Sequence, residues 1–287
     1  MDTALVSVLM TAYNREKYIA EAIESVLAST YGNFELIVVD DVSRDNTVSI
    51  ARKYAEKDNR IRVYVNEHNI GDYPNRNKAA GYARGKYIKY LDSDDTIFDF
   101  GLEYCVSQME KNPEAAIGMS LLYDMGAADS LCWQPQEIVR KHLFERPYLW
   151  IGPSGTITRL DKFLVMGGFD PRFGVSSDMY FNIRIASSYP VVLLQKSFFH
   201  YREHEGQQKN NEIGYLTTGY MYFKEILENT TLPLKSDEVD FLYRKMKKRH
   251  AINLTRYLLH TRNLAAIKQI MSETEFTLGD IFSGYFK

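Results

Sequence analysis

The chain has 287 residues, 45% hydrophobic, 25% charged and 13% aromatic, which suits one large globular domain or one domain with an appendage and excludes disorder as the main theme. Its 35 Lys and Arg against 37 Asp and Glu give a formal net charge of -2, which argues against a global electrostatic grip on nucleic acid and makes any charged surface local. The two cysteines, Cys105 and Cys132, are too few for a disulfide framework or a zinc site and fit a reducing, cytoplasmic compartment. Met1-Asp2-Thr3 lacks the basic start of a signal peptide, and no apolar run approaches the roughly 18 residues of a spanning helix, so neither secretion by that route nor membrane spanning is expected.

In chain order, Leu5 to Met10 is an apolar run, followed by a polar break at Thr11 to Arg15 and a helical pattern with Ile19, Ala22, Ile23, Val26 and Leu27 on one face. The unit recurs: Leu36 to Val39 with a helix from about Asp45 to Lys57, Ile61 to Val65 with a helix from about Tyr73 to Ala83, and Tyr87 to Leu91 with a helix beyond Asp99. Strands apolar on both faces and separated by helices predict an α/β fold, a mostly parallel sheet covered on both sides. Further on come Gly/Pro-bearing loops around Gly152 to Gly155 and Gly167 to Gly174 and a strand from Val191 to Tyr201, and from about Gln207 the chain reads as wholly helical.

Ligands of such sheets bind at the carboxyl ends of the strands, and three of those ends are unusually polar: Thr11-Ala12-Tyr13-Asn14-Arg15, Asp40 to Asp45, and Asp92-Ser93-Asp94-Asp95. Like charges packed that closely repel unless a cation offsets them, and hard carboxylate oxygens suit Mg²⁺ or Mn²⁺ bridged to substrate phosphates. The competing reading is that these aspartates only cap helices or form turns. Three polar strand ends in register, two of them acidic, weigh against it.

Val6 to Arg15, Ile37 to Asp45 and Gly85 to Asp95 resemble, in order and spacing, the three successive signatures of family 2 glycosyltransferases. Gly167-Gly168-Phe169-Asp170-Pro171-Arg172-Phe173, followed by Ser177, Asp178 and Arg184, is similar to the family's acceptor-side motif, and Tyr201-Arg202-Glu203-His204 to its closing motif. The resemblance spans about residues 4 to 205. It implies a GT-A type catalytic domain over 1–205, with a nucleotide-binding half (1–95) and an acceptor half (96–205), before a helical region over 206–287.

The resemblance also implies roles. Tyr13 would stack on the nucleotide base and Thr11 offer it polar groups; Asp41 would accept the imide N–H of uracil or thymine, with Asp40 in support. Arg76, Asn77 and Lys78 fall where the family often contacts nucleotide or diphosphate, against the plain alternative of a solvated helix face. Asp92 would bind the ribose, Asp94 the metal, and Asp95 would support them or contact the donor sugar. His204 would complete metal or diphosphate binding, and Asp178 would be the catalytic base of an inverting transfer from a nucleoside diphosphate sugar, UDP-linked, to a saccharide or lipid-linked saccharide acceptor in bacterial surface polysaccharide synthesis. Ser177, where the family usually has an acid, and Val42, where it usually has glycine, depart from the pattern.

Rival readings are weaker. Asp92-Ser93-Asp94-Asp95-Thr96 also fits an aspartate-nucleophile phosphatase, but that motif belongs on the first strand and needs a further acidic pair that is lacking. No Gly-x-Gly-x-x-Gly follows any strand, which excludes a dinucleotide-binding dehydrogenase. A non-catalytic sugar-nucleotide binding module would have no reason to keep Asp94, Asp178 and His204 together. The tail carries eight basic residues and no acidic one between Phe241 and Ser272 (Arg244, Lys245, Lys247, Lys248, Arg249, Arg256, Arg262, Lys268), a face suited either to an anionic membrane at the cytoplasmic side or simply to solvent. No nucleic-acid recognition motif accompanies it.

Overall fold

The computed structural model describes residues 3–121, 130–203 and 211–286. Strands β1 (Val6–Ala12) and β2 (Phe34–Asp40) are buried along nearly their whole length. Successive side chains point to opposite faces, and both faces are covered. Val6, Val8 and Met10 join Leu36 and Val38 in one core, whereas Leu9, Ile37 and Val39 enter another on the far side. Helix α1 (Ile19–Leu27) covers the first face with Ile19, Ala22, Ile23 and Val26, the one-sided spacing of an amphipathic helix. After α2 (Thr47–Ala55) and β3 (Ile61–Val65), α3 (Asp72–Gly81) covers the second face with Tyr73, Ala79 and Ala80.

The chain continues through β4 (Tyr87–Tyr90), β5 (Thr96–Ile97), α4 (Gly101–Lys111), β6 (Ile117–Ser120), β7 (Leu131–Trp133), α5 (Pro135–Phe144), β8 (Thr156–Arg159), α6 (Leu160–Val165), α7 (Ser177–Ser188), β9 (Val191–Leu194) and β10 (Phe199–His200). The main sheet has the order β3-β2-β1-β4-β8-β6-β9-β7. β3, β2, β1 and β4 are parallel, and β8 runs antiparallel between β4 and β6. From β1 the chain builds outward to β3 and then returns to the other side of β1 as β4, so the order reverses between β1 and β4, and a crevice opens at their carboxyl ends.

Two expected elements differ in extent. The helix predicted from Asp45 begins at Thr47, because the Asp45 carboxylate stays outside it and accepts from Thr47 N at 3.0 Å and from Glu16 N at 3.1 Å. The strand predicted from Val191 to Tyr201 is two strands: β9 stays in the main sheet, and β10 pairs antiparallel with β5, directly after the acidic Asp92 to Asp95 turn. That break carries the following residues to the crevice.

The tail forms α8 (Glu212–Asn229), α9 (Ser236–Thr261), α10 (Leu264–Thr274) and α11 (Leu278–Phe286) around its own core, which includes Tyr220, Leu242, Met246, Leu254 and Ile270. α8 belongs to both bodies: Ile226 packs in the core under the sheet, while Tyr220 and Leu227 face the tail. The boundary expected near 206 falls outside the described residues.

Candidate active site

The crevice at the β1/β4 reversal is a cavity of about 430 Å³ whose walls include Thr11, Tyr13, Asp41, Arg76, Asp92, Asp94 and Asp178. Seven residues singled out from sequence thus share one space, although they come from five separate segments.

The β1 and β2 loops are tied together. Asp40, buried, turns away from the cavity: it accepts from Ser43 N at 2.8 Å and Ser43 Oγ at 2.5 Å, and Ser43 Oγ accepts from Asn14 N at 2.8 Å. Asp40 therefore shapes the loop that presents Tyr13, which stays 43% exposed at the cavity. Asp41 takes Asn66 Nδ2 and Ile70 N on Oδ1, at 2.7 and 2.9 Å, and Gly71 N on Oδ2, at 2.9 Å. A carboxylate oxygen accepts about two hydrogen bonds, so Oδ2 retains capacity for one more donor. Val42, in place of glycine, holds φ at 67°, a left-handed conformation that is a genuine outlier for a β-branched residue.

Of Arg76, Asn77 and Lys78 in α3, only Arg76 lines the cavity. It is buried, with ion pairs to Asp72 at 2.9 Å and Asp92 at 2.6 Å, so the solvated-face alternative fails for it. Asn77 instead clamps the backbone of Phe169, donating to its carbonyl at 2.7 Å and accepting from its N–H at 2.9 Å, and Lys78 points to solvent.

Asp92, Asp94 and Asp95 bring carboxylate oxygens within 4.8 Å of one another. Asp94 pairs with Arg15 Nε at 2.9 Å. Asp95 is buried and outside the cavity wall; its Oδ1 accepts from Arg202 N at 3.0 Å, and its Oδ2 is a buried oxygen with no hydrogen-bond partner among the described residues. Burial, with the charge of Asp92 adding to it, pushes its carboxyl up to about 7. Three crowded hard-oxygen donors, one of them with an orphaned buried oxygen, fit a divalent cation. Behind them Lys89, fully buried, donates to the carbonyls of Tyr90 and Ser154 at 2.5 and 2.6 Å. Arg202 also donates from Nε to the Asp94 carbonyl at 2.9 Å, so the closing motif docks on the acidic turn. His204 lies outside the described residues.

Asp178, in the first turn of α7, is 7% exposed. Its Oδ1 accepts from Met179 N at 2.8 Å and its carboxylate from the Tyr73 hydroxyl, but burial outweighs both and raises its pKa to about 7. Ser177 has no access to the cavity: its hydroxyl lies 2.7 and 2.8 Å from the carbonyls of Asp170 and Gly174. Sequence reasoning missed Tyr73, Asp72 and Tyr215 as cavity residues. A signal for Tyr73 existed, since it precedes Arg76 by three residues and so shares its helix face. Tyr215 had none, because it arrives on α8 from the tail.

A reversed parallel sheet with an acidic turn at the crevice and a buried carboxylate beside it is the architecture of a GT-A type glycosyltransferase. Residues 7–180 match the family model described as glycosyl transferase family 2, and the chain belongs to that family. It is 34% identical over 211 residues to the uncharacterized glycosyltransferase MJ1057 of Methanocaldococcus jannaschii, covering 70% of this chain and 72% of the relative. It is 45% identical over 112 residues to the UDP-Glc:α-D-GlcNAc-diphosphoundecaprenol β-1,3-glucosyltransferase WfgD of Escherichia coli, covering 39% of this chain but only 44% of that one. Its fold is similar to residues 1–349 of TarS from S. aureus, solved with UDP-GlcNAc, at a TM-score of 0.74 and 21% identity, covering 97% of this chain and 81% of that one.

Proposed function

We propose that this glycosyltransferase moves a sugar, with inversion, from a UDP-linked donor to an acceptor hydroxyl in the assembly of a surface polysaccharide. The observation that carries the reading is Asp178, a buried carboxylate poised near neutral pH in the same cavity as the acidic turn. Inversion needs one base, on the face of the sugar opposite the leaving diphosphate, to take the proton of the attacking hydroxyl. A group with a pKa near the working pH does this well, and the Tyr73 hydroxyl orients it.

The donor half follows from the residues around it. Tyr13 offers a ring face to the base, and the free capacity of Asp41 Oδ2 matches an imide N–H, which uracil has and adenine lacks. The UDP-sugars in the names of the E. coli relative and the S. aureus neighbour support the same donor class. Asp92 and Asp94, with His204 by family resemblance, would hold Mn²⁺ or Mg²⁺, which when bound offsets charge building on the departing diphosphate. Arg15 and Arg76 add fixed positive charge at the same wall. Exposed Arg244, Lys248 and Arg256 on α9 support a place at an anionic membrane surface on the cytoplasmic side.

Calorimetry of UDP binding with and without Mn²⁺, together with UDP release from UDP-glucose and UDP-N-acetylglucosamine, tests this. Mn²⁺ is expected to tighten UDP binding to the native chain and to have no effect on Asp94→Ala. An unchanged metal effect in that variant moves the metal elsewhere. Donor binding without any turnover of the sugar nucleotide would leave a binding module.

A further inference from the structure

A second cavity, of about 420 Å³, lies where α5, α7, α8 and α9 meet. Much of its wall is apolar, with Leu143, Leu149, Met179, Leu216, Leu242 and Met246. Two cations, Lys245 and Arg249, stand one helical turn apart on α9 in the same wall, against one carboxylate, Glu212. Neither cation has an ion-pair partner among the described residues. His250, 5% exposed, also lines this cavity, and its Nε2 has no hydrogen-bond partner among the described residues.

The two cavities are neighbours. Tyr215 lines both, and the start of α7 divides them, with Asp178 facing the first and Met179 the second. A molecule presenting a hydroxyl to Asp178 can therefore extend past Tyr215 into an apolar space with two unpaired cations and an unpartnered imidazole nitrogen in its wall. A largely apolar wall favours an occupant with an apolar part, and two cations without an ion pair at that wall favour an anionic group on the same molecule.

We propose that the second cavity holds the phosphate-linked apolar chain of the acceptor, the phosphate against Lys245 and Arg249 and the chain between α7, α8 and α9. The proposal rests on Asp178 being the base of the reaction above. Gly219 gives a direct way to fill the space: it lines the cavity, and a Cβ added there meets no atom of the described residues within 4 Å beyond its own helical turn. Leucine is also the better residue in a helix.

The test is titration calorimetry of the native full-length chain with dodecyl phosphate below its micellar concentration, with inorganic phosphate and uncharged dodecyl maltoside as comparisons. Dodecyl phosphate is expected to bind at least roughly tenfold more tightly than either, a margin of about 1.4 kcal/mol. Gly219→Leu should weaken it by a similar factor through occupation of the chain's space. Lys245→Gln with Arg249→Gln, both exposed and therefore harmless to folding, should abolish its advantage over dodecyl maltoside. UDP binding and its Mn²⁺ dependence should be unchanged in every variant. Equal affinity for inorganic phosphate, or native affinity retained in Gly219→Leu or in the double variant, overturns the proposal. Loss of the UDP response in the native chain would overturn the functional reading instead.

Discussion

A buried carboxylate such as Asp178 lowers the stability of the fold once it is ionised. Its carboxyl binds a proton more tightly in the folded chain, with a pKa of about 7 against an ordinary 3.8. The proton it holds therefore favours folding at low pH, and that contribution fades as the pH rises through about 7. Two expectations follow for Asp178→Asn. The amide oxygen can still accept from Met179 N and the side chain keeps its shape, so UDP binding should persist while turnover falls by roughly 10² to 10⁴. The variant should also melt higher than the native chain above pH 7, with the gap closing toward pH 4. Native activity should rise with pH through about 7 as the base loses its proton. Near-native turnover of the variant, with the same pH profile, would pass the role to another carboxylate. Asp178, Asp94 and Asp41 were legible because each stands in a recognisable motif. Arg15, in the first of those motifs, gained a defined place only when folding set it against Asp94, 79 residues away.

At the scale of elements, loops carry the differences between pattern and structure. Val42 keeps the left-handed turn that glycine would adopt without steric cost, and the turn persists because Asp40, Ser43 and Asn14 hold the chain on either side of it. Val42→Gly should relieve a strain of about 1–3 kcal/mol, offset by about 0.5–1 kcal/mol for the greater freedom of glycine in the unfolded chain. Urea unfolding should therefore show a net gain on the order of 1 kcal/mol, and a loss of stability would mean that the valine side chain makes contacts worth more than its strain. Helix α3 shows why face matters more than composition. Arg76, Asn77 and Lys78 are adjacent and all polar, yet a rotation of about 100° per residue sends the first to the cavity, the second to Phe169 and the third to water. The strand expected from Val191 to Tyr201 broke for a reason that no local periodicity records. β10 finds its partner in β5, a two-residue strand that is too short to read from sequence.

Across the whole molecule, the tail and the catalytic sheet share α8, and no described helix is long and apolar enough to cross a membrane. The basic stretch is also less uniform than it reads: Lys247 pairs with Asp280 of α11 at 3.1 Å, and Lys245 and Arg249 turn to the second cavity. Arg244, Lys248, Arg256, Arg262 and Lys268 are exposed away from that cavity. If these meet a membrane, the chain should sediment with vesicles containing anionic lipid and be released as salt shortens the Debye length below about 8 Å. Equal sedimentation with neutral vesicles, or none with either, would leave them as a solvated face. The sequence by itself determined the alternation of strands and helices, the parallel sheet and the three polar strand ends, because hydrophobic periodicity and clustered like charges are local properties of the chain. Only the tertiary structure decided that Arg202 lies on Asp95, 107 residues away, that Asp40 faces away from the cavity, and that Tyr215 joins two cavities. Those contacts depend on how strands order in the sheet and how a distant helix folds back onto it, and neither is encoded within any one segment.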